Sequence, residues 1–337
     1  MPSSIPVRLP PVRLLLVLSL AAPLAHAAPP SAQKRMERRS VTEDLVQDVL
    51  EGRIAVPAAI SRLRTQREEA YAVQLLERQM SMILEPRRLR DVTAVVAGLE
   101  TRPAEPLLLR LVGHEDGAVR MYAAQGLGKL RSRRVDVLLP LLEDKSLGAR
   151  REAARALGAS RDPRVGAPLV EAARQESDMQ TRVMMLEAAG ATGDKKQGPA
   201  LKGFLDDSSE TTRFAAARGL CLLGAPEGFA FARKLLASDD KHVRRQGLAL
   251  YEGVPEKQAG EALRPLLEDK DRALAAGAAR ILSQGGDKKM LPWLVLASWN
   301  ANGTEKLVYE KELETLQLAD DQRKAILRAA GVAGATK

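Results

Sequence analysis

The chain has 337 residues, of which 3% are aromatic and 28% charged, and its formal net charge is +9 at pH 7. So few aromatic residues exclude a core built on rings and favour Leu, Ala and Val in closely packed helices. The one cysteine, Cys221, excludes a fold that depends on an intramolecular disulfide, and its apolar neighbours in GLCLLG predict a buried structural thiol.

The first 27 residues have the pattern of a signal peptide. Arg8 and Arg13 precede an apolar run over residues 14–24, and the small residues Ala25 and Ala27 form a cleavage signal. The run is too short to cross a bilayer core of about 30 Å as a helix. We therefore expect an exported protein, periplasmic or secreted and most simply bacterial, whose net charge falls to +7 once residues 1–27 are removed.

Two segments precede the regular part of the chain. Residues 28–40 are rich in Pro and charge, which predicts a flexible lead. Residues 41–85 contain two or three helical patterns without a clear repeat, as in EDLVQDVLEGR, and we interpret them as an N-terminal helical cap.

Residues 86–286 repeat with a period of about 31 residues. Each of five units contains one arginine at the same position, and these arginines are Arg120, Arg150, Arg182, Arg213 and Arg244. In the last unit Ala275 takes the place of the arginine. A fixed period of this length predicts a solenoid. Apolar residues recur one residue before the arginine and three, four and seven after it, which is one face of an α-helix. A second apolar cluster ends an earlier helix, so each unit is a helical hairpin.

An acidic turn leads into each arginine helix. The aspartates that we assign to it are Asp116, Asp144, Asp178, Asp207 and Asp240. An aspartate at such a turn caps the next helix, and it is also the nearest carboxylate for a partly buried arginine. We interpret the two columns as a structural ladder between repeats, whereas the alternative is a row of ligand-binding arginines.

The units DGAVRMYAAQGLGKL and SETTRFAAARGLCLLG resemble the HEAT-repeat superfamily, in particular the short HEAT-like repeats of phycobilisome lyases. The resemblance covers the array over residues 86–286. It implies an all-α solenoid in which a turn Asp and an early Arg of the second helix bridge successive repeats. It is nearly silent on function, although the family name also implies an alternative role as a subunit of a bilin-lyase-like or other enzyme complex.

The chain beyond the array, residues 287–337, is predicted to form a C-terminal helical cap. It contains both tryptophans, Trp293 and Trp299. We expect them to seal the last repeat, and a binding site formed by the pair is the alternative.

The sequence offers no motif for catalysis, cofactor binding or metal binding. His114 and His242 are the two histidines after residue 27, and neither a nucleophile elbow nor a phosphate loop occurs. Acidic turns interleave with the basic runs and stacking aromatics are scarce, which argues against nucleic acid. We therefore predict no enzyme activity, no metal and no cofactor.

The outer positions of the second helices, one and five residues after the ladder arginine, mix arginines with exposed apolar groups. Such a mixture is typical of protein-binding surfaces, although a solvated face has the same pattern. The candidate partner-binding residues are Met121, Arg151, Arg155, Val183, Phe214, Arg218, Arg245 and Arg280. The sequence thus predicts a non-catalytic scaffold or adaptor that binds a protein partner, possibly an acidic one, without spanning a membrane.

Overall fold

The computed structural model describes residues 32–83 and 85–332, and the predicted signal peptide lies outside them. Over this part of the chain every regular element is a helix and none is a strand, which confirms the all-α solenoid prediction. The helices alternate between first and second members of hairpins, with odd and even numbers respectively. They are α1 (Ala32–Glu51), α2 (Val56–Gln66), α3 (Glu69–Met80), α4 (Pro86–Leu99), α5 (Glu105–Leu111), α6 (Gly117–Lys129), α7 (Val135–Leu138), α8 (Leu147–Ser160), α9 (Gly166–Gln175), α10 (Met179–Ala191), α11 (Gly198–Lys202), α12 (Glu210–Leu223), α13 (Pro226–Leu236), α14 (Lys241–Ala249), α15 (Glu256–Leu263), α16 (Arg272–Gln284), α17 (Met290–Asn300), α18 (Gly303–Thr315) and α19 (Asp320–Ala329).

Three short first helices continue as 3₁₀ turns. These segments follow α7, α11 and α15 and span Leu139–Glu143, Gly203–Asp206 and Arg264–Glu268. Each contains leucines that the sequence places in the apolar cluster before the acidic turn. The first helices of these hairpins are therefore broken, whereas the second helices α6, α8, α10 and α12 are continuous over 13 or 14 residues.

The hairpin repeat extends beyond the predicted array into both predicted caps. A residue with left-handed backbone lies at or just after the end of each second helix, at Arg67, Glu100, Arg131, Arg161, Gly193, Gly224, Gly253, Gly286 and Gln317. Helix α2 packs on α4 and α16 packs on α18, as α6 packs on α8 and α8 on α10 inside the array. The predicted boundary at residue 86 falls within the hairpin of α3 and α4.

The flexible lead predicted for residues 28–40 is helical over its described part. Helix α1 begins at Ala32. The guanidinium groups of Arg35 and Arg39 lie 3.3 and 3.5 Å from the Glu68 carboxylate, and Arg39 also stacks over the Tyr71 ring at 4.6 Å. These contacts hold α1 against the second hairpin. The charged residues from which composition alone predicts a flexible lead are therefore part of the fold over the described residues.

The core lies along one face of the second helices. The column seven residues after the ladder position has no solvent exposure in any of the six repeats: Leu127, Leu157, Ala189, Leu220, Tyr251 and Leu282. Cys221 is also fully buried, as predicted, and burial raises the pKa of its thiol to about 12. A thiol with that pKa stays protonated and unreactive at neutral pH.

Small residues bring successive second helices into close contact. A Cβ atom added to Gly190 in α10 would lie 2.4 Å from the Cα and the carbonyl oxygen of Gly219 in α12. A Cβ atom added to Gly158 in α8 would lie 2.9 Å from that of Ala188 in α10. Helices α8, α10 and α12 therefore lie side by side, with their C-terminal ends at one edge.

Candidate functional site

A carboxylate of the next hairpin binds one side of the guanidinium of Arg120 and of Arg150. Arg120 donates from Nε and Nη2 to the two Asp144 carboxylate oxygens at 2.6 and 2.7 Å, and both side chains are largely buried. Arg150 contacts Glu176 in the same way at 2.7 and 3.1 Å. Bidentate pairing of this kind satisfies a partly buried guanidinium.

Backbone carbonyls of its own hairpin bind the other side of the ladder arginine. Arg120 donates from Nη1 to the carbonyls of His114 and Glu115, at 2.7 Å each. The carbonyl six residues before the arginine is an acceptor in every unit from Arg120 to Arg244. Each arginine thus binds the end of the helix before it and, where a carboxylate is in reach, the turn of the hairpin after it.

The turn carboxylates form two columns, which the sequence analysis treats as one. The residue four positions before the arginine caps the second helix, and the capping residues are Asp116, Ser146, Asp178, Ser209, Asp240 and Asp271. The residue six positions before it faces the arginine of the preceding repeat, as Asp144 and Glu176 do. Glu176 was missed because Asp178, two residues later, fits the predicted aspartate pattern.

Four of the five predicted ladder aspartates therefore have other partners, and Asp116 pairs with Arg90. Asp178 accepts hydrogen bonds from Thr181 and from Arg151. Asp240 accepts from the His242 backbone at 2.7 Å, and Asp207 from the Ser209 backbone at 2.8 Å. Arg182 and Arg213 are bound by carbonyls alone among the described residues, while Arg244 has Asp269 at 3.9 Å.

Most of the predicted partner-binding residues are occupied by contacts within the chain. Arg151 and Arg245 donate to the capping residues of the next hairpins, Asp178 and Asp271, at 2.8 to 3.0 Å. These pairs form a second bridge beside the ladder, and Arg90 and Asp116 form one at the start of the array, at 2.6 and 2.8 Å.

Arg280 and three apolar candidates also serve the fold. The Arg280 guanidinium lies between the carboxylates of Glu252 and Glu312, which joins α16 to α18. Val183 and Phe214 are partly buried against the core, and Met121 occupies the space over Gly148. The prediction that offsets one and five form a free wall is thus wrong for these residues, because neighbouring hairpins pack over that side of the helix.

The other two candidates, Arg155 and Arg218, line a groove of about 590 Å³. It crosses the C-terminal halves of α8 and α12 and runs along most of α10. Its lining residues are Arg131, Arg155, Gly158, Ala159, Arg161, Gln180, Met184, Glu187, Ala188, Ala191, Arg218 and Leu222. Sequence reasoning missed Arg131 and Arg161, which follow the second helices and lie outside the columns used to define the repeat.

Four arginines and one glutamate give the groove a positive lining. Arg155 donates to Glu152 at 2.8 Å, and Arg218 donates to the Ala249 carbonyl at 2.8 Å and lies 3.6 Å from Glu187. Burial raises the pKa of Glu187, and the charge of Arg218 opposes that shift only in part. The guanidinium groups of Arg131 and Arg161 are exposed and make no hydrogen bond or ion pair within residues 32–83 and 85–332.

The predicted tryptophan pair is divided between two environments. Trp293 packs against the core, and its ring lies 6.2 Å from that of Tyr309 in an edge-to-face arrangement. The Trp299 side chain is 45% exposed. The structure therefore does not bring the two rings into one site.

Comparisons with known proteins match the repeats and give low overall similarity. Residues 104–182 and 166–251 match the family model described as HEAT repeats. The complex of CpcE and CpcF of phycocyanin lyase from Nostoc sp. PCC7120 is 19% identical, with a TM-score of 0.47, over 72% of this chain and 94% of that one. An engineered protein is 17% identical, with a TM-score of 0.41, over 91% of each chain. No curated protein matches at a significant level.

The family match falls on the hairpins that the ladder joins. It begins at Ala104, just before α5, and ends at Tyr251, just after α14. Within these limits lie the ladder arginines, the capping residues from Asp116 to Asp240, and the groove. Over residues 104–251, the chain consists of HEAT-like repeats.

Proposed function

We propose that this protein is a non-catalytic scaffold that binds a partner protein at the groove across α8, α10 and α12. One observation carries the proposal. Most of the candidate arginines on the second helices are paired within the chain, whereas Arg131 and Arg161 project into the groove without a partner among the described residues. Arginine beside partly exposed apolar groups such as Met184 is enriched in protein interfaces.

The ionisable groups near the groove have assigned structural roles, which supports binding rather than turnover. Glu152 pairs with Arg155, Glu187 lies beside Arg218, and Cys221 is on the buried face of α12. The described residues contain no cluster of three potential metal ligands.

Export is the second part of the proposal. Its support is the signal pattern of residues 1–27, in which a basic lead, an apolar run and a small-residue cleavage signal follow one another. No helix in the described part of the chain is long and apolar enough to cross a membrane. We expect the protein recovered from the periplasm or medium of its source to begin at Ala28. An intact N-terminus in a cytoplasmic fraction would contradict export.

Site-specific photocrosslinking tests the binding site. A benzophenone amino acid at position 180 reports from the groove, because Gln180 is exposed there. The same group at position 234 is the control, because Lys234 is exposed on the first helix α13. We expect one discrete crosslinked protein from position 180 and none from position 234. Equal crosslinking from both positions would contradict the proposed site, and an absorbance shift of an added tetrapyrrole would favour the lyase-subunit alternative.

A further inference from the structure

Two arginines at the edge of the groove have an unusual backbone conformation. Arg131 and Arg161 lie after α6 and α8 with φ of 49° and 53°. The equivalent position is glycine in three later repeats, at Gly193, Gly224 and Gly286, and a non-glycine residue in three other hairpins, at Arg67, Glu100 and Gln317, all with positive φ. Glycine adopts this conformation without steric cost, whereas other residues are disfavoured there by about 1 kcal/mol. The two adjacent repeats therefore carry a long cationic side chain where the fold itself favours glycine.

The two strained arginines line one groove and point to one ligand. Residues kept in disfavoured conformations cluster at binding sites, and here both reach the same cavity. Arg155 and Arg218 have acidic or carbonyl partners within the chain, so they add positive potential but are less available for new contacts. Arg131 and Arg161 are exposed and their guanidinium groups are unpaired among the described residues. Their free bidentate donors match carboxylates.

We propose that Arg131 and Arg161 bind an extended acidic segment of the partner protein, with its apolar side chains against Met184 and Leu222. This inference rests on the proposed function and specifies the chemistry of the partner. The two arginines follow successive second helices, which pack about 8–10 Å apart. An extended peptide in the polyproline II conformation advances about 3.1 Å per residue and presents every third side chain on the same side. The segment therefore carries acidic residues about three positions apart.

A protein segment fits the groove better than nucleic acid does. The lining contains no aromatic ring on which a base could stack. Glu187 lies in the groove and opposes a continuous line of phosphates, whereas spaced carboxylates can avoid it. Ala159 and Leu222 offer apolar surface that a sugar–phosphate backbone does not use.

The test uses a fluorescein-labelled peptide in which every third residue is Glu and the others are Leu and Ala. Its binding to the full chain is measured by anisotropy, and the control peptide has Gln in place of Glu. We expect the double variant R131G/R161G to bind the Glu peptide about tenfold more weakly or worse, because two charge-assisted contacts are lost. We expect Glu187→Gln to tighten binding a few-fold, because it removes a negative charge from the groove.

A matched variant separates the groove from general charge. Arg67 has the same left-handed conformation, with φ of 56°, but follows α2, far along the chain from the groove. Arg67→Gly should leave the peptide affinity unchanged. Because glycine suits all three positions, R131G/R161G should melt no lower than R67G. If R131G/R161G melts at a lower temperature than R67G and binds the Glu peptide as tightly as the wild type, the two arginines only stabilise the ends of their helices. That result would overturn the proposal.

The remaining outcomes are also decisive. The acidic-segment proposal is overturned if R131G/R161G and R67G bind the Glu peptide with the same affinity. It is also overturned if the full chain binds a labelled dT decamer more tightly than the Glu peptide and the double variant loses that binding. If the groove still crosslinks its partner from position 180 in either case, the scaffold function stands and only the recognition chemistry is wrong. An increase in affinity in Glu187→Gln supports the proposal independently of any loss of folding.

Discussion

Arg120 and Arg150 each connect two hairpins, because a guanidinium has more donors than one acceptor can use. Arg120 contacts Asp144 of the next hairpin and two carbonyls of its own. A partly buried charge is tolerated only with such partners. In the last unit Ala275 takes this position and is fully buried.

Loss of a ladder carboxylate should be costly. Glu176 is 4% exposed and its partner Arg150 is 19% exposed. Glu176→Gln leaves that guanidinium without a countercharge, so we expect the free energy of unfolding to fall by about 2–3 kcal/mol in urea denaturation. The control is Asp136→Asn, which removes an equally bidentate but exposed pair with Arg134 and should cost under about 1 kcal/mol. If the two variants lost the same free energy of unfolding, the buried ladder pair would contribute no more to stability than the exposed pair, which would contradict this account.

The capping carboxylates should make the protein sensitive to acid. Hydrogen bonds from Thr181 and Arg151 lower the pKa of Asp178 to about 2. A carboxyl group with a lowered folded-state pKa stabilises the fold above its unfolded pKa near 4, and that contribution is lost as the pH falls towards 2. Asp178→Asn should therefore destabilise the protein at pH 7, and the difference from the wild type should shrink between pH 4 and 2.

Urea denaturation at pH 7, 4 and 2 checks this window. Asp239→Asn is the control, because the Asp239 carboxylate makes no hydrogen bond or ion pair with the described residues. A destabilisation by Asp178→Asn that stays constant from pH 7 to 2 would show that its charge does not matter.

At the scale of elements, small residues set how closely the second helices pack. Gly190→Ala would place a Cβ atom 2.4 Å from the Gly219 backbone, where no flexible side chain can move aside. We expect a loss of about 2–4 kcal/mol in thermal or urea unfolding, because overpacking forces α10 and α12 apart. Gly198→Ala in α11 is the control, because nothing lies within 4 Å of its added Cβ atom. That variant should be neutral or slightly more stable, and similar losses in both would contradict the close approach.

The sequence predicts the second helices well because their signal is local. Apolar residues at fixed offsets from the arginine define the buried face, and the column from Leu127 to Leu282 is buried throughout. The burial of the Cys221 thiol is predicted for the same reason, because its neighbours in the sequence are apolar. The family resemblance follows from these columns, and the family match covers residues 104–182 and 166–251.

The rest depends on contacts that no single column shows. The terminal hairpins lack the ladder arginine, so residues 41–85 and 287–337 read as caps although α2 and α18 pack like other second helices. The acidic columns differ by two positions, and only the geometry shows that Glu176 serves the ladder and Asp178 the helix cap. The sequence also does not show that Arg151 and Arg245, predicted to lie free on the outer face of the second helices, form ion pairs with the next hairpin.

At the scale of the whole molecule, the buried residues form a chain of local cores. One cluster runs from Leu45 to Leu223, a second from Ala217 to Met290 and a third from Ala276 to Leu327. Helix α13 packs against both α12 and α14 where the first cluster meets the second. In a repeat protein of this kind, stability is approximately a sum over hairpins and their interfaces. Damage to one interface should therefore spread to its neighbours and weaken with distance.

Native-state hydrogen exchange of the wild type and Glu176→Gln tests this central claim most directly. If hairpins are stabilised only by their neighbours, the variant should lose protection mainly in α7 to α10, less in α4 and α14, and least in α1 and α18. The same loss of protection in every helix from α1 to α19 would instead show one cooperative globule and contradict the repeat architecture on which the groove and its proposed function depend.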